Sequence, residues 1–121
     1  YTAGTLIKSA RVMKERGATG IDVFATHGYL NDPAIERLKT AHDEGIIDRI
    51  ILTDSIKLSE EKKERIIEAD LDILFIPTSV LFADVIARTQ RNITLSPIYA
   101  ETTYLENLYK GIHLMQIEDL P

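Results

Sequence analysis

The sequence contains no cysteine, which excludes a disulfide framework and thiolate metal sites and accords with a reducing cytoplasm as the expected location. No apolar run approaches the ~20 residues of a membrane-spanning helix, and no signal-peptide pattern opens the chain, so no membrane association is expected. Basic residues are outnumbered, 14 Lys and Arg against 19 Asp and Glu, for a net charge of −5. That balance argues against a duplex-binding surface and leaves room only for a local basic pocket; no nucleic-acid partner is expected. What is present is ordinary for a globular protein: 121 residues, 45% hydrophobic and 27% charged. A chain of this length forms one domain and buries roughly two thirds of its unfolded surface. It opens on Tyr1 rather than Met, with its best motif starting at the second position. It therefore reads as a fragment or a processed chain, with an upstream domain as one expectation.

Helical and β-rich segments alternate. The first helix is expected near Thr5, with Leu6, Ala10 and Met13 on one face, and a stop at Gly17. Glycine tolerates the left-handed geometry that follows a helix end. A short strand follows over Ile21–Ala25, then a helix with Asp32 as N-cap and Pro33 at its first position. A second strand, Arg49–Leu52, runs into Thr53, Asp54 and Ser55. The charged run Glu60–Arg65 reads as a solvated helix face opening after Ser59. A third strand, Asp72–Ile76, is stopped by Pro77. The segment from about Ser79 to Arg91 is apolar on several sides (Leu81, Phe82, Val85, Ile86) and is expected to be a well-buried helix. Tyr99, Tyr104 and Tyr109 recur at a spacing that fits neither helix nor strand, and no function attaches to them.

Strands separated by amphipathic helices specify βαβ units around a parallel sheet, here half to two thirds of a doubly wound domain. Ligands of such sheets sit beyond the C-terminal strand ends. That rule singles out the turns Thr26–Gly28, Thr53–Ser55 and Pro77–Ser79, and the loop Thr2–Thr5 if a strand precedes it. The loop Thr2-Ala3-Gly4-Thr5 opens an amphipathic helix. Its small residues let the backbone approach an oxyanion, its hydroxyls can donate, and the helix dipole favours negative charge by roughly 0.3–1 kcal/mol. Spacing alone fits a plain helix cap as well as a phosphate cradle.

Thr2-Ala3-Gly4-Thr5, followed by a helix ending Lys14-Glu15-Arg16-Gly17-Ala18, resembles the phosphoribosyl-diphosphate loop and its helix. In order come Phe24-Ala25-Thr26-His27-Gly28, Asp32-Pro33-Ala34-Ile35-Glu36-Arg37-Leu38, Ile50-Ile51-Leu52-Thr53-Asp54-Ser55-Ile56 and Leu81-Phe82-Ala83-Asp84-Val85-Ile86-Ala87-Arg88. Together these blocks, reaching about position 91, are most similar to the ribose-phosphate pyrophosphokinases. The resemblance implies a three-layer, parallel-sheet α/β domain of the phosphoribosyltransferase-like fold, incomplete upstream, with residues 1–121 as the ribose 5-phosphate-binding part of a C-terminal half. It implies transfer of a diphosphoryl group from Mg-ATP to the 1-hydroxyl of ribose 5-phosphate, for nucleotide biosynthesis. The 5-phosphate-binding role carries over onto Thr2, Ala3, Gly4 and Thr5. ATP as second substrate, Mg²⁺ as cofactor and a homo-oligomeric assembly are implied with it.

Departures bound that inference. The family's paired acids, its ATP-binding half and its basic catalytic loop would all lie before Tyr1, where the family usually has Asp. Asn31 replaces a Ser or Gly, and the segment from Thr94 diverges, which puts a family-type allosteric phosphate site near Ser96 in doubt. No residue of this chain receives a catalytic or metal-ligating role, and the chain alone is expected to be inactive. His27 reads as a turn residue satisfied by backbone, Asp54 as a turn former, Leu81 and Phe82 as core, and His42 and His113 as unpatterned. A non-catalytic regulatory homologue and a nucleobase phosphoribosyltransferase are the alternatives; the second is disfavoured by the blocks after Gly17.

Overall fold

A computed structural model of the chain describes residues 3–121. The elements run α1 (Gly4–Glu15), β1 (Asp22–Ala25), α2 (Asp32–Asp43), β2 (Arg49–Thr53), α3 (Glu60–Glu68), β3 (Ile73–Ile76), α4 (Ser79–Gln90), α5 (Ser96–Ala100) and α6 (Thr102–Leu108), then a 3₁₀ turn at Ile117–Asp119. They form two compact units. One runs to Ile76 and includes Met115–Pro121; the other is Pro77–Leu114.

In the first unit the strands lie in the order β1-β2-β3 and all pair in parallel. Parallel neighbours need a crossover, supplied by α2 and α3, and right-handed crossovers advancing one way across a sheet put both helices on the same face. The register shows which residues meet them: Val23 is level with Ile50 and Ile73, and Ala25 with Leu52 and Phe75. Val23, Ile50, Leu52, Ile73 and Phe75 share one buried cluster with Ala10 of α1, Ile35 and Leu38 of α2 and Ile66 of α3. On the opposite face, Phe24 is 71% exposed. Ile51, level with Phe24 on that face, is buried, and the clustered core lies on the other face, against α2 and α3.

Local chemistry sets the helix ends. The N-cap of α2 is Asn31, not Asp32: the Asn31 side chain accepts from the Ala34 N–H at 3.2 Å, and Asp32 begins the helix beside Pro33. Ser59 caps α3 as its sequence suggested, accepting from the Lys62 N–H at 3.3 Å. The charged run of α3 is not wholly solvated. Lys63 is 9% exposed, and its ammonium donates to Glu60 Oε1 at 2.9 Å, Pro121 O at 3.1 Å and Leu120 O at 3.4 Å. A lysine stem can lie along apolar surface while its head finds oxygen; here the oxygens belong to the returning tail. That tail also pairs with the outer edge of β3. The Phe75 N–H donates to Met115 O at 2.9 Å, and the Met115 N–H donates back at 2.8 Å.

The second unit is held differently. No residue of α4 is buried, and Phe82 and Ile86 are 59% and 61% exposed. This corrects the expectation of a well-buried helix with Phe82 in the core. Within the unit, the polar stripe of α4 makes the fastening. Arg88 Nε donates to Asp84 Oδ2 at 3.1 Å and to the Tyr104 hydroxyl at 2.8 Å, while its Nη1 reaches Thr94 O at 2.8 Å. The Tyr104 hydroxyl donates to the same Asp84 oxygen. The guanidinium also stands 4.6 Å from the Tyr104 ring centre. The bond to Asp84, then desolvation, pushes the Tyr104 hydroxyl above the ordinary tyrosine range; the Tyr104 bond raises Arg88 in turn. Tyr109 is anchored too, its hydroxyl donating to Pro77 O at 3.0 Å.

Candidate functional site

Helix α1 starts abruptly. Ala3 stands at φ 58°, ψ 1°, no side chain among the described residues caps the helix, and its first turn carries no acidic residue. A non-glycine residue in this left-handed region costs on the order of 1–3 kcal/mol, and such strain gathers where ligands bind. The kink brings Gly4 directly to the first helical position, and the Ala3 carbonyl already accepts from the Ile7 N–H at 3.0 Å. The N–H groups of the turn before Ile7 have no intrahelical acceptor by geometry. No carboxylate competes for them. Ala3, Gly4 and Thr5 stand at this helix start; Thr2 lies outside the described residues.

This helix start opens on a cavity of about 420 Å³. Its walls are Ala3, Gly4, Thr5 and Leu6 from α1, Val23 and Ala25 from β1, Ile50 and Leu52 from β2, and Ala34 and Leu38 from α2. His27, Gly28, Tyr29 and Leu30, in the turn beyond β1, complete it. A Cβ at Gly28 would stand 2.5 Å from Leu52 Cδ1, so the Leu52 side chain would have to shift to admit one. The floor is aliphatic, and among the described residues no Lys or Arg lines the cavity. An anion held there would depend on backbone N–H groups and the helix dipole.

The turns beyond β1 and β2 are tied by hydroxyls. Thr53 Oγ1 and Ser55 Oγ both donate to the Thr26 carbonyl, the latter at 3.1 Å. The Ser55 N–H donates to Thr53 Oγ1 at 3.3 Å. His27 Nδ1 lies 2.7 Å from Ser55 Oγ. His27 is therefore held by a side chain from the neighbouring strand end, not by backbone as its turn position suggested. Thr53 and Ser55 carry no individual signal in the sequence; the strand-end rule and the Ile50–Ile56 block point to their turn. Asp54 takes its place there with its N–H on Ile76 O at 3.1 Å. The Pro77–Ser79 turn belongs to the second unit. Among the described residues no group of three His, Cys, Asp or Glu converges as a metal site. The donor set at this cavity, backbone amides and hydroxyls around an aliphatic floor, does not fit Mg²⁺, which prefers carboxylate and phosphate oxygens.

His42 does not line this cavity. His42 is 3.9 Å from Asp43, near a second cavity of about 400 Å³ lined by Asp70, Asp72 and Glu118 among others.

The family model described as phosphoribosyl synthetase-associated domain matches residues 2–100. Ribose-phosphate pyrophosphokinase of Caldanaerobacter subterraneus subsp. tengcongensis is 39% identical over 99 residues, 81% of this chain and 28% of that protein. The Cereibacter sphaeroides enzyme of the same name is 32% identical over 112 residues, 93% of this chain and 30% of that protein. Ribose-phosphate pyrophosphokinase 2 of Enterococcus faecalis is 34% identical over 98 residues, 81% and 27%. The chain thus spans less than a third of the curated relatives it matches. Because the family model matches residues 2–100, the chain belongs to the phosphoribosyl synthetase-associated domain family, and its relatives are ribose-phosphate pyrophosphokinases.

Proposed function

We propose that this chain supplies the ribose 5-phosphate-binding part of a ribose-phosphate diphosphokinase, which makes phosphoribosyl diphosphate from ATP and ribose 5-phosphate. The carrying observation is the uncapped start of α1 at left-handed Ala3, facing a cavity that also takes in the strand ends. A phosphate needs several convergent donors without bulk, and Ala3, Gly4 and Thr5, joined by Thr2, provide them. The phosphoribosyltransferase-like fold and a place in the C-terminal half belong to the same proposal, as do Mg²⁺ held by residues outside this chain and a homo-oligomeric assembly. Chemistry of this type runs on positioning and charge neutralisation, so a part that positions the sugar phosphate contributes without a nucleophile of its own.

The test is titration of ribose 5-phosphate into the intact protein and its Gly4→Val variant. A branched side chain would occupy the anion's place at the helix start. Binding by the wild type that is abolished in the variant, with circular dichroism unchanged, supports the proposal. Equal affinities would remove the cradle.

A further inference from the structure

We propose that His27 is a substrate-binding residue, whose Nε2 accepts a hydrogen bond from a sugar hydroxyl of the bound phosphosugar. This rests on the proposed function and concerns the same cavity. The ring's polarity follows from where the Ser55 proton goes. Thr53 Oγ1 lies within reach of both Thr26 O and Ser55 Oγ, the latter at 2.9 Å, and each hydroxyl has a single proton. With the Ser55 proton on Thr26 O, none is left for the imidazole. The 2.7 Å contact then carries the Nδ1 proton of His27 towards Ser55 Oγ, the tautomer adopted in this proposal. In the neutral ring the other nitrogen is then a bare acceptor.

Placement supplies the second half of the case. His27 lines the cavity that Ala3 and Gly4 open on, whereas Ser55 does not. The anchored nitrogen is committed to the neighbouring turn, which leaves Nε2 as the ring atom available to a ligand. An unprotonated nitrogen repels a phosphate oxygen and attracts a hydroxyl. The cavity thus divides its work: donors at the helix start for the anion, an acceptor at the β1 turn for the polyol. Its remaining walls are largely aliphatic, so this acceptor matters for separating a sugar phosphate from a bare phosphate.

Two substitutions separate the two ring nitrogens. In His27→Asn the amide can take the place of Nδ1 and keep Ser55, with nothing at Nε2; in His27→Gln the amide reaches the Nε2 position. Titrations of the intact protein with ribose 5-phosphate and with inorganic phosphate are compared. For His27→Asn, we expect affinity for ribose 5-phosphate to fall about fivefold, the worth of one ordinary hydrogen bond, with inorganic phosphate unchanged. His27→Gln recovers part of the loss. Long-range ¹⁵N correlation spectra of the neutral imidazole show the proton on Nδ1. A parallel loss for both ligands, no loss for either, or a proton on Nε2 would overturn the proposal. A wild-type protein that binds neither ligand would overturn the proposed function beneath it, and this inference with it.

Discussion

The two units of the chain are stabilised by opposite means. All the buried apolar side chains among the described residues lie in the first unit, in its strands, three helices, connecting loops and returning tail. The second unit buries none of its apolar residues and is drawn together by Asp84, Arg88, Tyr104 and the Thr94 carbonyl. A close-packed apolar core resists deformation, whereas polar fastenings near solvent open at lower cost. The candidate site belongs to the rigid unit, where strand ends and a helix start are held in register. Amide hydrogen exchange should separate the two, with β2 protected far longer than α4 or α6.

The largest effect is expected where the core is deepest. Phe75→Ala should cost about 3–5 kcal/mol, read as a fall in the denaturant midpoint followed by circular dichroism. A loss below about 1 kcal/mol would mean that β3 is not the centre of the core. Next comes Lys63→Met, which keeps the stem and deletes the ammonium that ties α3 to Glu60 and the tail. Hydrogen bonds from charged groups are worth about 1.5–3 kcal/mol, and a change of that size is expected in the same measurement.

In the second unit, Tyr104→Phe removes the hydroxyl shared by Asp84 and Arg88. Exchange should accelerate in α6 and leave the sheet untouched. Because the folded-state value of Tyr104 is raised, its contribution is fully present below the ordinary tyrosine pKa of about 10. It is lost as pH climbs through the raised value. Spectrophotometric titration should show one tyrosine ionising late in the wild type, and none so late in the variant. Smallest of all is Glu44→Gln, which breaks an ion pair with Arg11 whose side chains are 45% and 46% exposed. Water and salt screen such a pair, and a change under about 1 kcal/mol is expected, vanishing in high salt.

The short apolar runs Ile50–Leu52 and Ile73–Ile76, separated by amphipathic helices and punctuated by Gly17, Pro33 and Ser59, made the parallel sheet and its crossovers readable. Period and caps are local properties. The loop at Gly4 was readable for the same reason, as small residues ahead of an amphipathic helix. What the sequence concealed depends on partners distant along the chain. Lys63 looked solvated because its acceptors lie at Leu120 and Pro121. Phe82 looked like core because hydrophobicity counts apolar faces without saying what covers them. His27 looked like an isolated turn residue, since Ser55 meets it only when β1 and β2 pair. Tyr104 gave no periodic signal because its role is to meet one helix at one point.

The central claim is that phosphate rests on the backbone at the start of α1, and amide chemical shifts test it most directly. In the intact protein labelled with ¹⁵N at glycine and threonine, ribose 5-phosphate should move the Gly4 and Thr5 amide protons downfield, as N–H groups do when they donate to an anion. Gly17 and Gly45, both outside the cavity lining, should stay in place. Saturable binding that leaves Gly4 and Thr5 unshifted would contradict the account and move the phosphate elsewhere.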